Sequence, residues 1–199
     1  EITKGFEEKI KAFEEEKQQL REELRKAGQT PKIDVDLLSR ESSMYFVKKN
    51  YEKSLALTDT LLVFESESAV GWYNRGCNLI KLGRYDEAIE SVDKVIEIEP
   101  DLAVAWTNRG YALGELGRYD EAIENLDKAL QIDANLSLAW NNKIHVLIES
   151  EKYDEAIENC HMLTAINPNN YDAFNDIGLI LNDHLKKHEK SLEYFDKAI

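Results

Sequence analysis

The run Leu82-Gly83-Arg84-Tyr85-Asp86-Glu87-Ala88-Ile89-Glu90 returns 34 positions later as Leu116-Gly117-Arg118-Tyr119-Asp120-Glu121-Ala122-Ile123-Glu124. A further 34 residues on, Lys152-Tyr153-Asp154-Glu155-Ala156-Ile157-Glu158 repeats it again. Trp72, Trp106 and Trp140 keep this spacing, and so do Asn74, Asn108 and Asn142. A period of this length marks a chain of like units, each too small to bury its own apolar face, so that stability comes from stacking.

Within a unit the pattern is helical. Trp106, Gly110 and Leu113 recur at four and three and share one face of a first helix. Gly117 closes that helix, and Asp120 and Glu121 put acids in the first turn of a second, where its dipole favours them. Ala122, Leu126 and Ala129 form the buried stripe of the second helix, and Pro100 or Pro168 ends the unit.

These motifs resemble the tetratricopeptide repeat family, whose pattern is Trp-x-x-Leu-Gly-x-x-Tyr, then Ala-x-x-x-Phe, then Pro. The resemblance implies an all-α, right-handed solenoid of about five helix-turn-helix units, framed as 35–68, 69–102, 103–136, 137–170 and a truncated 171–199. Unit one departs from the pattern, with Leu38, Ser42 and Ser54 where Trp, Gly and Ala are usual, though Tyr45 and Tyr51 hold register. Unit four carries Ile144 in place of the small residue, which suggests a slightly wider helix pair. Unit five gains one residue before His188. Its Leu192, Phe195 and Ile199 lack a successor to stack on, so a capping helix or further repeats are expected to follow.

Residues 1–30 differ. Phe6, Ile10, Phe13, Lys17, Leu20, Leu24 and Ala27 step by four and three among Glu, Lys and Gln, a heptad stripe broken once by Lys17. Gly28 and Pro31 end this amphipathic or coiled-coil helix, and 31–34 form a linker. The helix is expected to cap the first unit, to pair with a second copy as a homo-oligomer, or to occupy the chain's own groove.

In the family, first helices of successive units line a concave surface that holds an extended peptide. The resemblance assigns inward positions to Val70, Tyr73, Asn74, Cys77, Ile80 and Lys81; to Val104, Thr107, Asn108, Tyr111, Gly114 and Glu115; and to Leu138, Asn141, Asn142, His145, Ile148 and Glu149. The row Asn74, Asn108, Asn142 is similar to the asparagine ladder of the tetratricopeptide domain of O-linked N-acetylglucosamine transferase. A side-chain amide both donates and accepts, matching the main chain of an extended peptide. The alternative is that the row caps or bridges neighbouring helices, or solvates the groove. Tyr73, Tyr111, Val70, Val104 and Leu138 would choose side chains, and Glu149, Asp172, Asp176 and Asp183 would receive Lys or Arg. A carboxylate clamp is absent in both registers. Arg75 and Arg109 are expected to cover apolar surface and reach an acid on an adjacent helix.

Against 25 Lys and Arg stand 39 Asp and Glu, a formal charge of −14. That balance disfavours nucleic acid and anionic membrane and favours a basic protein or peptide partner. Two cysteines give no disulfide framework, and no leader or membrane span is evident, which points to the cytoplasm. His184 and His188 lack the acid of a metal motif, and Cys160 lies on the buried stripe beside His161, a poor nucleophilic pair. No metal, cofactor or catalytic residue is expected. The chain reads as a non-enzymatic scaffold or adaptor. The alternatives are a regulatory or substrate-delivery domain of a larger enzyme, and an oligomerisation module built on the N-terminal helix.

Overall fold

The computed structural model describes residues 34–198. The expectations for the heptad helix at 1–30, for most of the linker and for Ile199 lie outside them. Ten α-helices follow in order: α1 (Val35–Val47), α2 (Tyr51–Phe64), α3 (Ala69–Lys81), α4 (Tyr85–Ile98), α5 (Ala103–Glu115), α6 (Tyr119–Ile132), α7 (Ser137–Glu149), α8 (Tyr153–Ile166), α9 (Tyr171–Leu179) and α10 (His188–Lys197). Consecutive helices pack as antiparallel pairs, one pair per expected unit, and each pair packs on the next. No strand occurs among the described residues.

The first helices of units one to four end in the same turn, and in unit five the closing bond, from the Lys187 amide to the Leu181 carbonyl, is one residue wider. In unit two the Arg84 amide donates to the Leu79 carbonyl at 2.9 Å and the Gly83 amide to the Ile80 carbonyl at 3.1 Å. This is the bonding of a Schellman cap, which needs a left-handed residue just past the helix. That residue is Gly83 at φ 70° and Gly117 at φ 74°, but Lys49 at 59°, Glu151 at 60° and Lys186 at 54°. The turn residues are spaced by 34 until the last, which comes one residue late. The extra residue is absorbed in a π-helical turn, Ile180–His184, that continues α9. Asn50 caps α2 by accepting from the Lys53 amide at 3.2 Å, but the second helices of units two to five start without a side-chain cap. Instead Arg84 forks onto Glu87 through Nε to Oε1 at 2.7 Å and Nη2 to Oε2 at 2.6 Å, and Arg118 holds Glu121 alike.

The two helices of a unit meet at one small-against-large pair. A Cβ built on Gly76 would lie 3.0 Å from Val92, one on Gly110 2.7 Å from Leu126, and one on Gly178 2.5 Å from Phe195. In unit four the sizes are exchanged: buried Ile144 packs in the cluster that holds Cys160. The bulk expected to widen that pair is thus matched by a small residue at the facing position. Unit one makes the contact polar, with Ser42 Oγ 2.7 Å from Thr58 Oγ1 and Ser54 Oγ donating to the Ser42 carbonyl at 2.9 Å. Ser42, Ser54 and Thr58 are all buried and all bonded, which removes the cost of polar atoms in a core.

Two further ladders join units. Each indole N–H donates across the inter-unit turn, Trp72 to the Ser66 carbonyl, Trp106 to Pro100 and Trp140 to Ala134, at 2.7–2.9 Å. Arg75 reaches Asp59 at 2.8 Å, Arg109 reaches Asp93 at 2.7 Å and Lys143 reaches Asp127 at 2.6 Å, each cation meeting an acid on the preceding second helix. Arg75 and Arg109 also donate to Ser91 Oγ and Asn125 Oδ1 on their own unit's second helix. The structural role expected for both arginines is the one observed.

Candidate functional site

The first helices α3, α5 and α7 touch one another directly, whereas second helices make at most marginal contact with each other. An array so built bends toward its first helices, and these form the inner surface. Asn74, Asn108 and Asn142 occupy the same turn of α3, α5 and α7, and all three are half-buried. Among the described residues the side-chain amides of Asn74 and Asn142 make no hydrogen bond, while the Asn74 carbonyl accepts from buried Asn78 at 2.9 Å. The Asn108 amide contacts Cys77 Sγ at 3.5 Å, a weak sulfur bond.

Cys77 and Asn108 meet Tyr73 in one cluster between α3 and α5. Burial raises the Tyr73 hydroxyl above the usual tyrosine value, and a neighbouring thiolate would raise it further. Burial likewise raises the Cys77 thiol, although Tyr73 and Asn108 hydrogen bonds oppose the shift. Both groups are therefore neutral donors near pH 7. Cys77 is the groove member that sequence reasoning placed inward without giving it a role; its position nine in the unit was the available signal.

Tyr111 of α5 lies edge-on to Tyr85 of α4, ring centroids 6.4 Å apart. The Tyr85 hydroxyl donates to Glu115 Oε2 at 2.9 Å, and this bond lifts its pKa to about 12. Tyr85 and Glu115 thus border the inner surface; the repeat register marks Glu115 as inward but Tyr85 only as the recurrent tyrosine of the second helix. The same contact recurs between Tyr153 and His184, stacked at 4.3 Å. Their separation in sequence is 31 rather than 30, because the π-turn intervenes.

The remaining candidates are spread along the helices. Val70 at 64% and Leu138 at 50% exposure stand open, Val104 is half-buried, and Asn141, His145 and Glu149 are exposed on α7. Thr107, expected on the inner face, is instead fully buried with its hydroxyl donating to the Ala103 carbonyl at 2.9 Å. Asp176 is half-buried on α9. Burial first, and then the charge of Asp172, raises its carboxyl above the usual range, with His145 acting in the opposite sense. The structure thus brings His145, Asp172 and Asp176 within electrostatic reach of one another. Cys160, fully buried, is pushed up to about 12 by burial and by Asp176, which makes its thiol unreactive.

His184 and His188 are parted by the turn, His188 Nδ1 lying 2.7 Å from Asn182 Oδ1. Among the described residues no group of three or more His, Cys, Asp or Glu could hold a metal ion, and no helix is long and apolar enough to cross a membrane.

Helix pairs stacked in register, joined by repeated ties and lined inside by their first helices, define an α-solenoid repeat scaffold. The tetratricopeptide repeat profile matches residues 69–102 and 103–136, the second and third units. Those two units are therefore of the tetratricopeptide repeat type, and the other units repeat their helix pairing. Solved structures share the fold. MamA is 20% identical at a TM-score of 0.71, covering 82% of this chain and 89% of that one. MamA residues 41 to the end from Desulfovibrio magneticus RS-1 are 20% identical at 0.73, covering 82% and 92%. YrrB, described as a TPR protein with an unusual peptide-binding site, is 25% identical at 0.65, covering 88% and 90%. No curated protein sequence matches the chain at a significant level.

Proposed function

We propose that this chain is a protein-interaction scaffold that holds an extended segment of a partner along its inner surface. The observation that carries the reading is the row of Asn74, Asn108 and Asn142, in register on three first helices, with two of the three amides unbonded among the described residues. An amide that is half-buried and uncommitted can still exchange water for the N–H and C=O of a strand-like peptide. Description of the similar YrrB as peptide-binding supports the same reading.

Specificity would come from what flanks the row. Val70, Val104 and Leu138 offer apolar contact, and Tyr73 and Tyr111 offer ring faces with hydroxyl donors. Asn141, His145 and Glu149 continue the surface toward Asp172 and Asp176. The carboxyl of Asp176 is raised chiefly by burial and then by the charge of Asp172, and a lysine or arginine placed there would offset both. A basic peptide is therefore the favoured partner, consistent with the net charge of −14.

The test is selection of peptides from a random display library, followed by affinity measurement on the wild type and on the triple variant Asn74→Ala, Asn108→Ala, Asn142→Ala. At about 1 kcal/mol per lost hydrogen bond, the variant should bind about 100-fold more weakly with its helicity unchanged. Equal affinity would remove the Asn row from the mechanism. Selected peptides should also carry Lys or Arg, and Asp176→Lys should weaken those alone.

A further inference from the structure

We propose that the segment held along the inner surface is amphoteric: one Asp or Glu of it sits in a carboxylate-accepting subsite between α3 and α5, formed by Tyr73, Cys77, Lys81 and Asn108. This rests on the inner surface being the peptide groove and adds the charge pattern of what it holds. Tyr73, Cys77 and Lys81 are spaced by four and so lie in one line along α3. Asn108 of α5 closes the cluster from the facing helix, its Nδ2 lying 3.5 Å from Cys77 Sγ. Tyr73 is hydrogen-bonded to both Cys77 and Asn108. Tyr73, Cys77 and Asn108 are half-buried and Lys81 is exposed at the groove edge. The Lys81 ammonium acts on the Cys77 thiol and is paired with no carboxylate among the described residues.

The chemistry of the cluster is that of a donor set. Tyr73 offers an O–H, Cys77 a neutral S–H, Asn108 two N–H and Lys81 three. Tyr73 and Asn108 both direct a hydrogen at the Cys77 sulfur, a weak acceptor that leaves half-buried donors poorly satisfied. Those two hydrogen bonds and the Lys81 charge all favour negative charge at this place, and only burial opposes it. The thiol stays protonated, so the chain's own groups supply no anion there. A carboxylate oxygen accepts from every one of these donors through charge-assisted bonds. The inner surface continues on both sides of the cluster, so the carboxylate it takes is a side chain within the segment rather than a chain end.

The rest of the inner face says where the opposite charge belongs. Lys81 is its charged member in unit two, whereas units three and four carry Glu115 and Glu149, and unit five carries Asp172 and Asp176. Glu115 is already engaged by the Tyr85 hydroxyl at 2.9 Å. A uniformly basic segment meets like charge at Lys81, and a uniformly acidic one meets it at Asp172 and Asp176; an acid at one end and a base at the other satisfy both. Asn108 and Asp176 hold the same register position two units apart. Neighbouring helices pack about 10 Å apart, so the two subsites are separated by about six residues of extended chain.

Peptides selected from the random library on the wild type, synthesised with both ends blocked, are the probe. They should carry Asp or Glu about six positions from Lys or Arg. Changing that acid to its amide should weaken binding about tenfold on the wild type, with little change on Lys81→Met. Lys81 is exposed, so this variant should keep the helicity of the wild type. Tyr73→Phe, which removes one donor and leaves the ring, should weaken the acidic peptide and spare its amide counterpart. Selection repeated on Lys81→Glu should return peptides with Lys or Arg where the acid stood. Peptides that depend on the Asn row but carry no acid, or whose acid matters equally on the wild type and on Lys81→Met, would overturn the subsite and leave the groove standing. Absence of any selected peptide that depends on the Asn row would remove the groove itself, and the subsite with it.

Discussion

Asp176 is the side chain whose environment is most at odds with its charge. It is half-buried, one helical turn from Asp172, and its folded-state pKa is raised, chiefly by burial. A carboxyl raised in the folded state binds more protons folded than unfolded between its ordinary value near ~3.9 and the raised one. Its ionisation therefore destabilises the array fully above that window, and the cost fades as pH falls through it. Asp176→Asn should raise the thermal midpoint at pH 7, with a gain that shrinks on acidification and vanishes below the ordinary carboxyl value. A pH-independent gain would point to packing instead. Single residues also show how far the sequence could be read. Gly83 and Gly117 announce their left-handed turns, but Lys49 and Glu151 take the same backbone with nothing in their side chains to say so, and only the period reveals them. Ile144, taken alone, suggested a looser pair, because the exchange of bulk with Cys160 becomes visible only once the two positions are known to face each other.

At the scale of helices, the partners of Arg75 and Arg109 were hidden for a related reason. A guanidinium following the Asn row could be expected to find an acid, but which acid depends on how one pair sits on the next. Geometry places it 16 residues earlier, and the same offset serves Lys143. The side chain of Arg109 is 25% exposed and that of Asp93 44%, against 43% and 42% for Arg84 and Glu87. Water screens the second pair more, and it lies within one helix end rather than across a joint. A cycle of Arg109→Met with Asp93→Asn should return a coupling of about 1 kcal/mol, falling with salt, and the Arg84–Glu87 cycle about 0.3 kcal/mol. Equal couplings would show that the inter-unit tie has no special weight. The π-turn Ile180–His184 belongs to this scale too. The extra residue was countable from the period, but its storage inside a helix rather than in the loop was not, because both solutions restore the register that lets Phe195 reach Gly178.

For the molecule as a whole, the array is a row of joints, and each inner pair is held from both sides. Units one and five are held from one side by described neighbours, so they should open first. All three tryptophans lie in units two to four. In urea, helical circular dichroism should therefore begin to fall before tryptophan fluorescence changes, and coincident curves would mean a single cooperative block. The frame, the helix pairing and the inner face were legible because a repeated motif states its own alignment. The ties between units were not, since they depend on how neighbouring pairs are inclined.

The cation–carboxylate ladder also bears on whether such arrays could string together into filaments. Its joint is polar: a second helix offers an acid forward and the next first helix offers a base backward, and identical molecules carrying both halves would polymerise head to tail without limit. Unit five still offers the forward acid, Asp196, exposed in the register of Asp59, Asp93 and Asp127. Unit one answers in the register of Arg75, Arg109 and Lys143 with Glu41, an acid facing an acid. A copy offering Asp196 to Glu41 meets repulsion where the joints from unit one to unit four have attraction, so head-to-tail stacking of these two faces through the ladder is disfavoured.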